Sequence, residues 1–224
     1  MSAKGMVLAL WGICMFLLAA STPGAGAQVA WDDAFPTASA PPNVYFQARY
    51  LDARGDSHRL EVWREADVRL RRKTDEAIDF SVERDLSGGY VYRLVDRARQ
   101  TVVAADRAML YRMGLFSDWR GLAHVLDVPR GEFRIAPIAE APNKAAHGPC
   151  AWFRLETAKP SSTSEICWSR EWGLPLIIRT AGAGGTERFV VEDVRGFLPD
   201  AAIVTLPRDG LLRLDAGPDE TPFD

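Results

Sequence analysis

Three histidines, three cysteines and a cluster of arginines are the residues of this 224-residue chain with chemistry to offer. His58, His124 and His147 stand far apart: one in a turn-rich stretch, one in a stretch of helical period, one in a Pro/Gly-rich loop. A metal site needs several ligands at short recurring spacings, and His147, three positions before Cys150, supplies only one His beside one Cys. No Gly-x-Ser-x-Gly elbow and no local Ser/His/Asp grouping occurs. The Ala181-Gly182-Ala183-Gly184-Gly185 run lies between two strand patterns, so no helix N-terminus follows it to receive a phosphate. Asp32-Asp33 and Glu192-Asp193 are adjacent carboxylates that read as solvated, and neighbours in a strand point to opposite faces. The chain therefore reads as non-enzymatic, with no cofactor and no metal expected. A site assembled only in three dimensions would leave no local trace of this kind.

The arginine cluster is Arg64, Arg69, Arg71 and Arg72 with Lys73. Strand alternation puts Val68, Leu70 and Arg72 on one face and Arg69, Arg71 and Lys73 on the other. Two readings stand side by side: a patch that meets phospholipid head groups or an acidic partner, or a solvated strand face that discourages edge pairing. Nucleic acid is an unsuitable partner, because Lys+Arg number 27 against 30 Asp+Glu, a net charge of −3.

The compartment follows from the first 27 residues. Lys4 begins a positive segment, Met6 to Ala20 is an uncharged apolar run, and Ala25-Gly26-Ala27 fits cleavage before Gln28. The run is short for a membrane span, which needs roughly 20 residues, and Pro23 and Gly24 interrupt its continuation. The segment reads as a secretory signal, the alternative being an uncleaved anchor. Cys14 lies inside the apolar run behind Trp11-Gly12-Ile13, where the bulky Ile is unsuited to lipoprotein processing, and would leave with the signal. Cys150 and Cys167 then remain. In an oxidising compartment they read as a disulfide, contributing about 3 kcal/mol in the chain-entropy model, or else as two free thiols.

The elements that must position these residues are mostly strands. Gln28 to Pro42 is an Ala/Pro-rich lead-in, with Trp31 and Phe35 available to dock on the body. Alternation then predicts strands over Val44–Tyr50, Arg59–Arg64, Asp67–Lys73, Ile78–Arg84, Tyr90–Val95 and Thr101–Ala105. Leu115, Trp119, Leu122 and Leu126, broadened by Phe116, Ala123 and Val125, recur at helical spacing. They predict a helix within Met109–Val128, capped by Ser117 or Asp118 if it starts late and stopped by Pro129. Strands follow over Glu132–Ala136, Ala151–Glu156, Glu165–Arg170, Pro175–Thr180 and Glu187–Val194, and a Gly/Asp/Pro-rich tail frays after Pro207. About ten antiparallel strands and one substantial helix suggest a mainly β (α+β) chain, a curved sheet with a helix against its concave face. Such a sheet, lined by large apolar side chains, can enclose a cavity for acyl chains or apolar peptides.

Several runs resemble the periplasmic lipoprotein carrier and receptor superfamily (LolA/LolB-like, with RseB-type stress sensors as relatives). Val44-Tyr45-Phe46-Gln47-Ala48-Arg49-Tyr50 looks like that family's first long strand. Glu61 to Leu70 (EVWREADVRL) is similar to its second and third strands, and Gly89 to Val95 (GYVYRLV) to the one after. The clearest stretch runs from Cys167 to Ile178 (CWSREWGLPLII), then Arg188 to Val194 (RFVVEDV) and Ile203 to Gly210 (IVTLPRDG). The resemblance implies an incomplete antiparallel β-barrel, a half-barrel over residues 43–207, wrapped over one or more helices and sheltering lipid. It departs from the pattern in showing one good helix where the carriers have a more helical lid. Its functional arginine falls on Arg69, while Arg71 and Arg72 allow other registers.

The expected site is an apolar cavity lined by Phe46, Tyr50, Trp63, Leu70, Tyr92, Leu115, Trp119, Leu122 and Ile178, with Arg69 and Arg71 contacting a head group or partner. The expected protein is periplasmic and binds a lipid, an acyl chain or a lipoprotein. The alternative on the same scaffold is an envelope-stress sensor or interaction module whose partner is another envelope protein.

Overall fold

The fold is built from one alternation repeated strand after strand. In β1 (Asn43–Leu51) Val44, Phe46 and Ala48 have no exposed surface, while Arg49 reaches solvent. The same period in β2 (Ser57–Glu65) buries Leu60, Val62 and Arg64, and in β3 (Arg69–Thr74) it buries Leu70. In-register pairing carries it onward: Arg64 faces Leu70, Leu70 faces Val82 of β4 (Ile78–Arg84), and Val82 faces Tyr92 of β5 (Tyr90–Asp96). Residues directly opposite one another share a face, so this row defines one side of the sheet.

These coordinates are a computed structural model that describes residues 28–105, 119–139, 141, 144–182, 184–198, 200 and 211–215. The signal-like leader therefore lies outside the described residues. The remaining strands are β6 (Thr101–Ala105), β7 (Phe133–Pro137), β10 (Ala151–Ala158), β11 (Ser161–Ser169), β12 (Leu174–Thr180), β13 (Glu187–Gly196) and β14 (Leu212–Asp215). Between β7 and β10, a two-stranded hairpin joins β8 (Lys144–Ala145) to β9 (Gly148–Pro149).

Twelve strands form one sheet in the order β14-β6-β5-β4-β3-β2-β1-β13-β12-β11-β10-β7. Two runs of hairpins, β1 to β6 and β10 to β13, meet where β1 pairs with β13. All neighbours are antiparallel except β14, which joins β6 in parallel. The sheet does not close, since β14 and β7 are its two ends. The Leu212–Asp215 pairing puts a strand inside a stretch expected to be a fraying tail.

Aspartates hold the hairpin turns: Asp52 accepts from the Arg54 and Asp56 amides, and Asp85 from those of Ser87 and Gly89. Gly88 takes φ +86° there, a left-handed conformation that any side chain would strain.

Two short helices lie on one face. α1 (Trp31–Ala34) buries Trp31 and Ala34, with Phe35 buried just behind it, so the lead-in docks through both aromatic residues marked for it. α2 (Trp119–His124) is the described part of the helix expected over 109–128. It stops before Pro129, because Val125 adopts φ +63° and turns the chain out of the helix. Arg120 ties the two helices together, with Nη1 2.6 Å from Asp32 Oδ1 and Nη2 donating to Phe35 O.

Apolar burial falls into two main clusters. The larger joins Val44, Phe46, Leu60, Val62, Leu70, Val82 and Tyr92 to Leu122 and Ala123 of α2. The smaller packs Trp31 and Phe35 against Ile135, Phe153, Leu155, Ile166 and Trp168, and Ile178 touches both. Cys150 and Cys167 are joined as a disulfide, Cα atoms 5.4 Å apart, that links the start of β10 to β11.

Candidate functional site

The face bearing α2 gathers most of the residues expected to line a cavity. Phe46, Leu70, Tyr92 and Leu122 are buried in its cluster, and Tyr50, Trp119 and Ile178 pack against it half-buried. Trp119 stacks on Tyr90, ring centroids 5.2 Å apart and planes 11° from parallel. Leu115 lies outside the described residues. Trp63 sits on the opposite face. With Val62 buried toward α2, its neighbour must point away, and it packs on Tyr45 with Arg71 over its ring.

Arg69 and Arg71 share that opposite face, and both are committed to carboxylates. Arg69 Nη2 lies 2.6 Å from Glu65 Oε2. Arg71 binds Asp79 through Nε at 2.9 Å and Nη2 at 2.6 Å, and Arg97 Nη2 reaches the same carboxylate at 2.8 Å. Asp79 has no exposed surface, so the two guanidinium groups supply the charge and hydrogen bonds that its burial demands. A parallel arrangement stands in the other half of the sheet. There Glu165 is bound by Arg154 and Arg179, and Arg179 stacks over Trp152 at 4.4 Å. Burial raises the Glu165 pKa, but hydrogen bonds from the two arginines outweigh it and hold the carboxyl below its ordinary value.

Two other arginines, Arg64 and Arg72, face α2. Arg64 is 3 % exposed and has no carboxylate partner among the described residues; desolvation lowers its pKa to about 10. Its donors reach Ala123 O at 3.1 Å, Pro41 O at 3.2 Å, Trp172 O at 3.4 Å and His124 Nδ1 at 2.9 Å. One side chain thus fastens the lead-in, the C-terminus of α2 and the β11–β12 turn, and a cation suits the carbonyl end of a helix.

His124 Nδ1 also approaches Gly173 O, but the two contacts require opposite tautomers. Burial first, and the Arg64 charge second, lower the His124 pKa to about 4.

Arg72 pairs with Val62 on one side and Phe80 on the other. The residue is half-buried, and burial of its guanidinium lowers its pKa. Among the described residues it has no hydrogen bond or ion pair. Tyr50 and Asp127 act on it only through space. The Asp127 carboxylate occupies the room where a Cβ on Gly121 would stand, which holds it against α2.

Arg64 was absent from the residues expected at the site, although the period-two pattern of Arg59–Arg64 already puts it on the Val62 face. His58, by contrast, is an edge feature: Nδ1 lies 2.9 Å from Asp75 Oδ2, a hydrogen bond that raises its pKa, and its ring tilts over Tyr50. Among the described residues no group of three or more His, Cys, Asp and Glu side chains could hold a metal ion. Nor is any described helix long and apolar enough to cross a membrane.

No protein-family model matches the chain, and no curated protein matches it.

Proposed function

We propose that this chain is an exported, non-enzymatic binding protein that holds a lipid, an acyl chain or the acyl chains of a lipoprotein against the α2 face of its sheet. The observation that carries this reading is the set of partly exposed aromatic side chains flanking the buried core on the α2 side. Tyr50, Phe80, Tyr90 and Trp119 pack against the buried Phe46, Val62, Leu70, Val82 and Tyr92 on one side of an unclosed sheet, with Tyr90 stacked on Trp119. Flexible hydrocarbon is the ligand that matches such a surface, because it needs no hydrogen-bond partners and gains about 0.8 kcal/mol for each CH₂ removed from water. The Cys150–Cys167 disulfide fits an oxidising compartment, and the signal-like leader supports export, in this reading to the periplasm. The resemblance to lipoprotein carriers and receptors points the same way.

Lipid extraction of the chain purified from its own envelope, followed by mass spectrometry, tests this. An acyl lipid in near-stoichiometric amount is expected. A lipid-free protein that also fails to take up a fluorescent fatty acid would remove the carrier reading.

A further inference from the structure

A binding face made only of hydrocarbon would accept any acyl chain, but this one carries a charge. Across β1 to β5 the pairing sets Phe46, Val62, Arg72, Phe80 and Leu94 in a single row. Four are apolar and the central one is a guanidinium.

The molecule treats its other inward or buried charges differently. Arg64, two positions along β2 from Val62 on the same face, directs its donors to three carbonyls and His124. Asp79 and Glu165, also buried, each sit between two arginines. Arg72 has five N–H donors and, among the described residues, no acceptor for any of them. The carboxylate in electrostatic reach, Asp127, stays against Gly121 and makes no ion pair with it. A desolvated guanidinium without an acceptor is unfavourable, and a bidentate oxyanion is the group its planar fork fits best.

We propose that Arg72 anchors the polar end of the ligand, so that the α2 face selects anionic amphiphiles, whose carboxylate or phosphate meets the guanidinium while the chain lies along the partly exposed Phe80 and Leu94 of the same row. Tyr50, whose hydroxyl is a further donor on the same side, stands near enough to Arg72 to share its field. The inference rests on the acyl-binding reading above and specifies its ligand class.

The test is a set of binding titrations on the delipidated full chain with three probes: palmitate, dipalmitoylphosphatidylglycerol and hexadecanol. The neutral alcohol matches palmitate in chain length and lacks only the anion. Palmitate or the phospholipid should bind at least about tenfold more tightly than hexadecanol. Whichever of the two is favoured identifies a free carboxylate or a lipid phosphate as the natural anion. Arg72→Met keeps the aliphatic stem and should bring all three probes to the hexadecanol affinity, while Arg72→Lys should recover part of the preference. The melting temperature of Arg72→Met should be unchanged or raised, since an uncompensated cation is replaced by an apolar side chain. A lowered melting temperature with the anion preference intact would make Arg72 structural and overturn the proposal. Equal affinity of the wild type for palmitate and hexadecanol would overturn the anchor and leave the apolar face standing. Failure of all three to bind would overturn both.

Discussion

The β2–β3 hairpin handles its arginines in opposite ways on its two faces. On the side away from α2, Arg69 and Arg71 each meet a carboxylate, and Arg71 shares the buried Asp79 with Arg97. On the α2 side, Arg64 is met by carbonyl oxygens and an imidazole, and Arg72 by no group within hydrogen-bonding distance among the described residues. On the first face each of these arginines meets a carboxylate, one of which Arg71 and Arg97 share. The second retains net positive charge on a surface otherwise built of Phe, Val, Leu and Tyr. Paired arginines suit the burial of Asp79, whereas the proposed anchor would use the unmatched cation of the other face. The head-group contacts expected of Arg69 and Arg71 therefore shift, in the proposed account, to the arginine one residue further along.

The comparison can be broken from either side. The largest effect is expected at Asp79: Asp79→Ala removes the carboxylate that Arg71 and Arg97 share and should cost about 3–5 kcal/mol in urea unfolding. A loss under about 1 kcal/mol would contradict the pairing described for the outer face. Arg64→Leu comes next. It relieves a desolvated charge but leaves the carbonyls of Pro41, Ala123 and Trp172 without a donor, for a net loss of about 3 kcal/mol. Hydrogen exchange in this variant should rise first at α2, and uniform protection would contradict the fastening role.

The third prediction is a pH dependence. His124 has a pKa of about 4 in the fold against 6.5 in an unfolded chain, so the unfolded chain takes up the proton first. Its contribution is complete above pH 6.5 and is lost as the pH falls toward 4, roughly 2–3 kcal/mol in all. The exposed His58, with its raised pKa, works in the opposite direction over part of that range. The contrast must therefore be made against His124→Gln, which keeps His58. The urea midpoint of the wild type should fall more steeply between pH 6.5 and 4.5 than that of His124→Gln, and parallel curves would refute the assignment. The smallest effect is expected at Arg69→Gln, under about 1 kcal/mol, because its pair with Glu65 is partly solvated. A larger loss there would erase the distinction between an ordinary outer pair and the Asp79 centre.

Much of this organisation was legible in the residues. The alternation in Arg59–Arg64 and Asp67–Lys73 sets the strands and sorts Arg72 onto the Leu70 face. The same period places Trp63 away from Val62, and strand parity outweighs the ring size that suggests a cavity wall. Cys150 and Cys167 were readable as a pair because they are the two cysteines outside the signal-like apolar run that holds Cys14. The strand at Leu212–Asp215 was hard to read: Leu-Arg-Leu-Asp alternates over only four residues in a Gly/Asp-rich setting, and a parallel pairing depends on where the chain returns in space. The early end of α2 was hidden as well. Val125 is an unusual residue for a left-handed position, and it holds there beside the Arg64 bonds to Ala123 O and His124, which come from a strand sixty residues away.

The central claim is that acyl chains lie on the α2 face and on no other part of the sheet. Photo-crosslinking the intact protein with a diazirine-bearing palmitate, and mapping the adducts by peptide mass spectrometry, tests it most directly. The account predicts adducts at the partly exposed Phe80, Tyr90, Leu94 and Trp119, reduced by Arg72→Met. Adducts concentrated at Tyr45 and Trp63 on the opposite face, or none above the level of a denatured control, would contradict it.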